Sequence, residues 1–190
     1  MRFGVLALQG DFREHAATAA AAGAEPVLVR LPGDLAGLDA LAIPGGESTT
    51  IGRLADRYGL VEPLRRAIGA GLPTLGTCAG MIFLASGTTS DRPQVQLGML
   101  DVVVHRNAFG SQVSSFETDL DVIGIAGPMH AVFIRAPWID SVGPGVEVLA
   151  EVDGHPVVVR QENILATSFH PELTGDDRIH RLLLQIRGRV

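Results

Sequence analysis

Short apolar runs alternating with helix-compatible segments organise the first half of this chain. Residues 3–8 (Phe-Gly-Val-Leu-Ala-Leu), 26–30, 40–43 and the run that leads into Gly76 read as buried strands. An Ala-rich segment at 12–22, and segments near 50–58 and 60–70, read as helices. Asp11 is placed to cap the first helix and Gly23 to end it, with 31–39 a loop. Such alternation predicts a parallel sheet covered on both faces. After Leu84 the pattern changes: 98–105, 115–123, 131–135, 146–152 and 156–160 are strand-like with turns between them, which predicts antiparallel hairpins added to the sheet. Residues 163–169 form another buried strand and 176–187 a closing helix. No repeat, low-complexity tract or linker interrupts the 190 residues. The expected fold is α/β: a three-layer, flavodoxin-like, mostly parallel sheet flanked by helices, with added antiparallel hairpin strands, in one domain spanning 1–190.

Composition narrows the function classes. Apolar residues make up 46 % and charged residues 19 %, which is globular and not disordered. The formal charge of −6 argues against a nucleic-acid partner, which calls for a basic face. All fifteen basic residues are arginine, so no lysine side chain can form a Schiff base. A single cysteine allows no intrachain disulfide and points to no oxidising compartment. The apolar opening is broken early by Gln9, Asp11, Arg13 and Glu14, and no run approaches the ~20 apolar residues that cross a bilayer. The expectation is a cytoplasmic protein without a membrane partner.

Three stretches carry chemistry. Gly76-Thr77-Cys78-Ala79-Gly80 has the form Gly-x-Cys-x-Gly and lies between an apolar strand and the helix-compatible Met81-Ile82-Phe83-Leu84-Ala85. That is the layout of a nucleophile elbow, in which larger flanking side chains would collide across a sharp turn. It places the sulfur at a helix N-terminus, where backbone N–H groups and the helix dipole favour negative charge. A lone cysteine is usually a buried structural residue; the two glycines favour the elbow. The second stretch is Ser168-Phe169-His170-Pro171-Glu172, at the end of the last apolar strand. Pro171 holds His170 extended, and residues two apart in extended chain share a side, so Glu172 can orient the ring. Both stretches follow strands, where reacting groups of open α/β sheets gather, so Cys78, His170 and Glu172 make a candidate set of nucleophile, base and orienter. The third is Pro44-Gly45-Gly46-Glu47-Ser48, whose glycines let backbone N–H groups face a ligand, or simply make a tight turn before a capped helix. It lacks the ending of a phosphate-binding loop. The other five histidines read as surface or structural residues, with no metal-site spacing.

These residues resemble class I (triad) glutamine amidotransferase domains, and among them the glutaminase subunits of pyridoxal 5′-phosphate synthases. The resemblance covers nearly the whole chain. Besides the elbow and His170-Pro171-Glu172, it rests on Leu8-Gln9-Gly10 with Glu14-His15, Pro44 through Thr49, Arg106-Asn107 with Phe109-Gly110, Ser115-Phe116-Glu117 and Phe133-Ile134-Arg135-Ala136-Pro137. It implies that Cys78 attacks the side-chain amide of L-glutamine, that His170 serves the leaving ammonia and then water, and that Glu172 orients His170. It implies an oxyanion hole from the N–H groups of Gly46 and Ala79, and glutamine binding by Gly45, Gly46, Glu47, Arg106, Ile134 and Arg135. It implies no cofactor and no metal. The ammonia would pass to a separate synthase subunit, a (β/α)₈ barrel, in a complex with twelve copies on a dodecameric core, where Leu8-Gln9-Gly10 would lie near the docking face. A glutaminase subunit of another amidotransferase, such as imidazole glycerol phosphate synthase, would share the triad. A redox-sensing or binding domain would leave His170-Pro171-Glu172 unexplained. Two positions depart from the family pattern: Ser111, where an arginine is common, and Glu162, where a glycine is usual.

Overall fold

The computed structural model describes residues 1–90, 93–106 and 115–186. In chain order the elements are β1 (Arg2–Leu6), α1 (Phe12–Ala21), β2 (Glu25–Val29), β3 (Ala40–Ile43), α2 (Ser48–Arg57), α3 (Val61–Gly69), β4 (Thr74–Thr77), α4 (Ala79–Leu84) and β5 (Ala85–Thr88). There follow β6 (Leu100–His105), β7 (Ser115–Leu120), β8 (Met129–Ile134), β9 (Trp138–Val142), β10 (Glu147–Val152), β11 (His155–Gln161), β12 (Ile164–Thr167) and α5 (Arg178–Ile186). A 3₁₀ turn, Pro32–Leu35, sits in the loop expected at 31–39.

Seven strands form the main sheet in the order β10-β11-β12-β4-β3-β1-β2. The pairings from β2 through β12 are parallel and the two involving β11 are antiparallel. Every residue of β3, β4 and β12 is buried, as apolar runs without alternation require when both faces are covered. Side chains alternate between two cores. Leu41, Ile43 and Ala166 pack with Ile51, Leu64 and Phe83 of α2, α3 and α4, while Ala40, Ala42 and Leu165 pack with Ala19 of α1 and Ile179 and Leu183 of α5. Helices on both sides of one mostly parallel sheet make the three-layer α/β architecture that the alternating pattern predicts.

The later strands depart from expectation. Only β10–β11 extends the main sheet as a hairpin. The strands β5, β6 and β9 form a separate three-stranded sheet, and β7–β8 a two-stranded one. Burial alternates along β6 and β8, so each has one apolar face and one wet face. A strand of that kind suits lying across a layer; a place inside a sheet covered on both faces would bury its polar side. Leu100, Val102 and Val104 of β6 thus join the core on the α2–α4 side, and Met129, Ala131 and Phe133 of β8 join the other. Among the described residues no helix is long and apolar enough to cross a membrane.

Candidate active site

Parallel register carries the distant motifs to one place. Thr77, the last residue of β4, lies beside Thr167, the last of β12. The chain continuing from one strand reaches Cys78 and from the other reaches His170. Ile43 at the end of β3 pairs with Gly76, which sets the loop from Pro44 to Glu47 along the same edge. Residues 8–11, following β1, complete it. The Cys78 N–H donates to Thr167 O at 2.8 Å and the His170 N–H to Val132 O at 3.0 Å, which docks β8 against the site.

Local sequence explains the elbow. Cys78 has φ 47° and ψ −103°, a backbone conformation costing an L-residue roughly 1–3 kcal/mol. The glycines make the turn possible: a Cβ on Gly80 would sit 1.9 Å from Ile43 O, and one on Gly76 2.9 Å from the Gly80 backbone. Ala79 opens α4, so its N–H has no acceptor within the helix. Gly45 lies so close beneath His170 that a Cβ there would be 2.2 Å from Cε1.

Cys78, His170 and Glu172 are all buried, with 7 %, 4 % and 5 % exposure. His170 Nδ1–H donates to Glu172 Oε1 at 2.8 Å, with Asp11 Oδ2 at 3.3 Å from the same nitrogen. Burial alone would lower the ring's proton affinity. The Asp11 carboxylate, the Cys78 sulfur and Glu172 outweigh it and push His170 up to about 12. Burial would likewise raise Glu172, but its contacts with His15 and His170 hold the carboxyl well below the usual range. The surroundings therefore favour the protonated form of the ring, between a carboxylate and a sulfur. Asp11, His170 and Glu172 offer three donor atoms within 4.8 Å of one another.

A cavity of about 400 Å³ opens above the sulfur, lined by Gly46, Glu47, Cys78, Ala79, Arg106, Ile134, Arg135 and His170. Burial would raise Glu47, but the Thr50 hydroxyl and the N–H groups of Thr49 and Thr50 hold it down to about 2, an ionised cap on α2. Arg106 Nη2 lies 3.4 Å from that carboxylate and Nη1 3.2 Å from Gln94 Oε1. Arg135, with φ 46°, turns the chain out of β8 at the rim. Of the residues singled out in the sequence, Gly45 and Glu172 do not line the cavity; they underlie and back His170. The Gly110-Ser111-Gln112 departure lies outside the described residues.

One residue departs from its expected role. Asp11 makes no side-chain cap bond to α1; its carboxylate turns to His170. His15 and His180, placed among surface or structural histidines, are fully buried behind Glu172. The spacing of Asp11 and His15, four apart on one helix face, is the signal that could have linked His15 to the site.

Residues 5–187 match the SNO glutamine amidotransferase family. The chain is 62 % identical over 187 residues (97 % of this chain, 92 % of the relative) to the pyridoxal 5′-phosphate synthase subunit PdxT of Parafrankia sp. (strain EAN1pec). It is 57 % identical over 184 residues (96 % of this chain, 95 % of the relative) to the subunit of the same name from Mycobacteroides abscessus. Among solved structures, one of a glutamine amidotransferase superposes with a TM-score of 0.94 at 53 % identity, covering 98 % of both chains.

Proposed function

The chain belongs to the SNO glutamine amidotransferase family, and from that premise we propose that it is the glutaminase subunit of a pyridoxal 5′-phosphate synthase, hydrolysing L-glutamine to L-glutamate and ammonia. The observation that carries the reading is the convergence of Cys78 and His170 on one cavity, with Glu172 backing the ring, the sulfur delivered by the turn after β4 and the ring and carboxylate by the turn after β12 at the same sheet edge. Cys78 gives its proton to His170, and the sulfur attacks the amide carbon of glutamine. The negative oxygen so formed is held by the N–H groups of Gly46 and Ala79, which lose no hydration at the moment of reaction. His170, held protonated between Glu172 and the sulfur, gives that proton to the departing nitrogen; ammonia leaves and a thioester remains. Water, deprotonated by His170, attacks the thioester; glutamate leaves and the thiol is restored. Glu172 keeps the ring in one tautomer and stabilises its charged form. Arg106 and Arg135 at the rim suit the substrate carboxylate, and Glu47 suits its ammonium.

The relatives at 55–62 % identity are named as subunits of pyridoxal 5′-phosphate synthase, which favours that enzyme over imidazole glycerol phosphate synthase. The ammonia accordingly goes to a synthase subunit. We extend the reading to a (β/α)₈-barrel partner carrying twelve copies of this chain, to a cytoplasmic setting, and to residues 1–190 acting as one amidotransferase domain. The decisive experiment measures glutamate release with the purified synthase subunit present. Cys78→Ala should lose turnover by at least roughly 10³-fold while still binding the partner; full turnover in that variant would end the assignment of the nucleophile.

A further inference from the structure

Behind the carboxylate of Glu172 lies a pair of buried histidines that the reaction leaves unused. His15 on α1 and His180 on α5 are both fully buried. Their ring centroids are 5.1 Å apart, with His15 Nδ1 3.0 Å from His180 Nε2. On its other side His15 Nε2 lies 3.0 Å from Thr77 Oγ1 and 3.4 Å from Glu172 Oε2. Thr77 immediately precedes the nucleophile, and Oε2 is the oxygen that does not meet His170.

The chemistry of these atoms fixes where the hydrogens go. Glu172 Oε2 is buried and, among the described residues, has no hydrogen-bond partner of good geometry; His15 Nε2 is the nitrogen that approaches it. A bare ring nitrogen against a carboxylate oxygen would set two lone pairs face to face, so Nε2 carries hydrogen. Burial pushes His180 down to about 3, so that ring is neutral and has a single N–H. Its Nδ1 has no partner among the described residues, and buried N–H groups are left unpaired more rarely than acceptors, which puts the proton on Nε2. His180 then donates to His15 Nδ1, leaving His15 the tautomer whose N–H faces Thr77 and Glu172. The other titratable groups facing this network are Cys78 and Asp11 at the His170 end, and Asp177 beyond His180.

We propose that His15, its tautomer fixed by His180, is a positioning residue that holds Glu172 from the side opposite His170. The inference rests on the glutaminase reading above. In that arrangement α1 and α5 set the angle at which the carboxylate meets the catalytic ring, and the Thr77 contact ties the same ring to the start of the elbow.

The test pairs two substitutions. His15→Asn keeps a polar group toward His180 and removes the one that reaches Glu172; His15→Gln restores a donor near the Nε2 position. With the synthase subunit present, His15→Asn should lower kcat roughly tenfold, the low end of what partners behind reacting ligands contribute, with KM within about twofold. His15→Gln should recover most of the loss. Without glutamine, the rate of Cys78 alkylation by iodoacetamide should shift to higher pH in His15→Asn, because a poorly held Glu172 stabilises the imidazolium less. Its profile in His15→Gln should match the parent protein. A folded His15→Asn variant with unchanged kcat and alkylation profile overturns the proposal, and so does equal impairment of both variants. Should His15→Asn not fold, ¹⁵N-histidine spectra of the unaltered protein decide: a protonated Nε2 on His15 supports the proposal, a bare one overturns it. Absence of glutamine turnover in the unaltered protein would sink the glutaminase reading alone, because alkylation and the ring spectra do not depend on it.

Discussion

Cys78 and Glu162 hold nearly the same positive φ, 47° and 51°, at opposite ends of the main sheet. Each end also has a cavity. The one beside Glu162, at the amino ends of β4 and β12, is the larger, about 570 Å³ against about 400 Å³ at the elbow. Neither strain nor volume therefore singles out the reactive end. Convergence of polar groups does. At Cys78 the turn aims a sulfur into a cavity lined by the His170 ring, which a buried carboxylate backs, and close packing of Gly45, Gly76 and Gly80 leaves the turn no freedom to relax. At Glu162 the turn only joins β11 to β12. Positive φ is a candidate marker of function, and the surroundings decide whether it is one.

Tight packing around the elbow gives that contrast its sharpest test. Gly45→Ala adds one methyl, placed 2.2 Å from His170 Cε1. The ring must move, and displacement of a reacting group by about 1 Å costs on the order of 10² in rate. Glutamate release with the synthase subunit should fall by about that factor, with binding of the partner retained. Turnover within threefold of the parent would show that the site end is no more tightly specified than the other.

Acid should also act first at the site end. The folded state keeps His180 neutral down to about pH 3, whereas the unfolded chain takes up a proton near the ordinary value of 6.5. This contribution is present in full above pH 6.5 and is lost as pH falls toward 3, because the unfolded state then binds more protons. Glu172, also held low, acts in the same direction, with loss beginning below its ordinary value of 4.5. Between pH 6.5 and 5 the loss from His180 amounts to about 1.6 kcal/mol, approaching roughly 1.4 kcal/mol per unit once the unfolded histidine is mostly protonated. Urea denaturation at the two pH values should show that loss in the parent protein and much less of it in His180→Gln. An equal slope in both would remove His180 from the account.

The legible part of this molecule was whatever short-range chemistry writes into neighbouring residues. Ala40–Ile43, four apolar residues in a row, read as a buried strand with the bounds the structure has. Cys78 between two glycines, and His170 two residues from Glu172, announced themselves by spacing alone. Illegible features depended on partners far away in sequence. His15 and His180 are 165 positions apart, and only the packing of α1 and α5 on one face brings them behind Glu172. The strand β5, Ala-Ser-Gly-Thr, has no side-chain pattern to read. The first strand was expected to run to Leu8 but ends at Leu6, because residues 8–11 turn away to meet Gly45 and Glu47, where Gln9 Oε1 accepts from the Glu47 N–H at 2.7 Å.

Glu162 offers the mildest intervention and the cleanest control. Its left-handed φ costs an L-residue roughly 1–2 kcal/mol that glycine would not incur. Against this, a glycine loses more conformational freedom on folding, by roughly 0.5–1 kcal/mol. The difference leaves Glu162→Gly more stable by up to about 1.5 kcal/mol, a shift of a few degrees in Tm for a chain of this length. Turnover should stay within experimental scatter, because the change lies at the far end of the sheet from the sulfur. A glycine in place of Cys78 would also relieve backbone strain but would destroy the nucleophile. If Glu162→Gly instead altered glutamine turnover without altering stability, the turn between β11 and β12 would be coupled to the site, and the division between a reactive end and a merely connecting end would not hold.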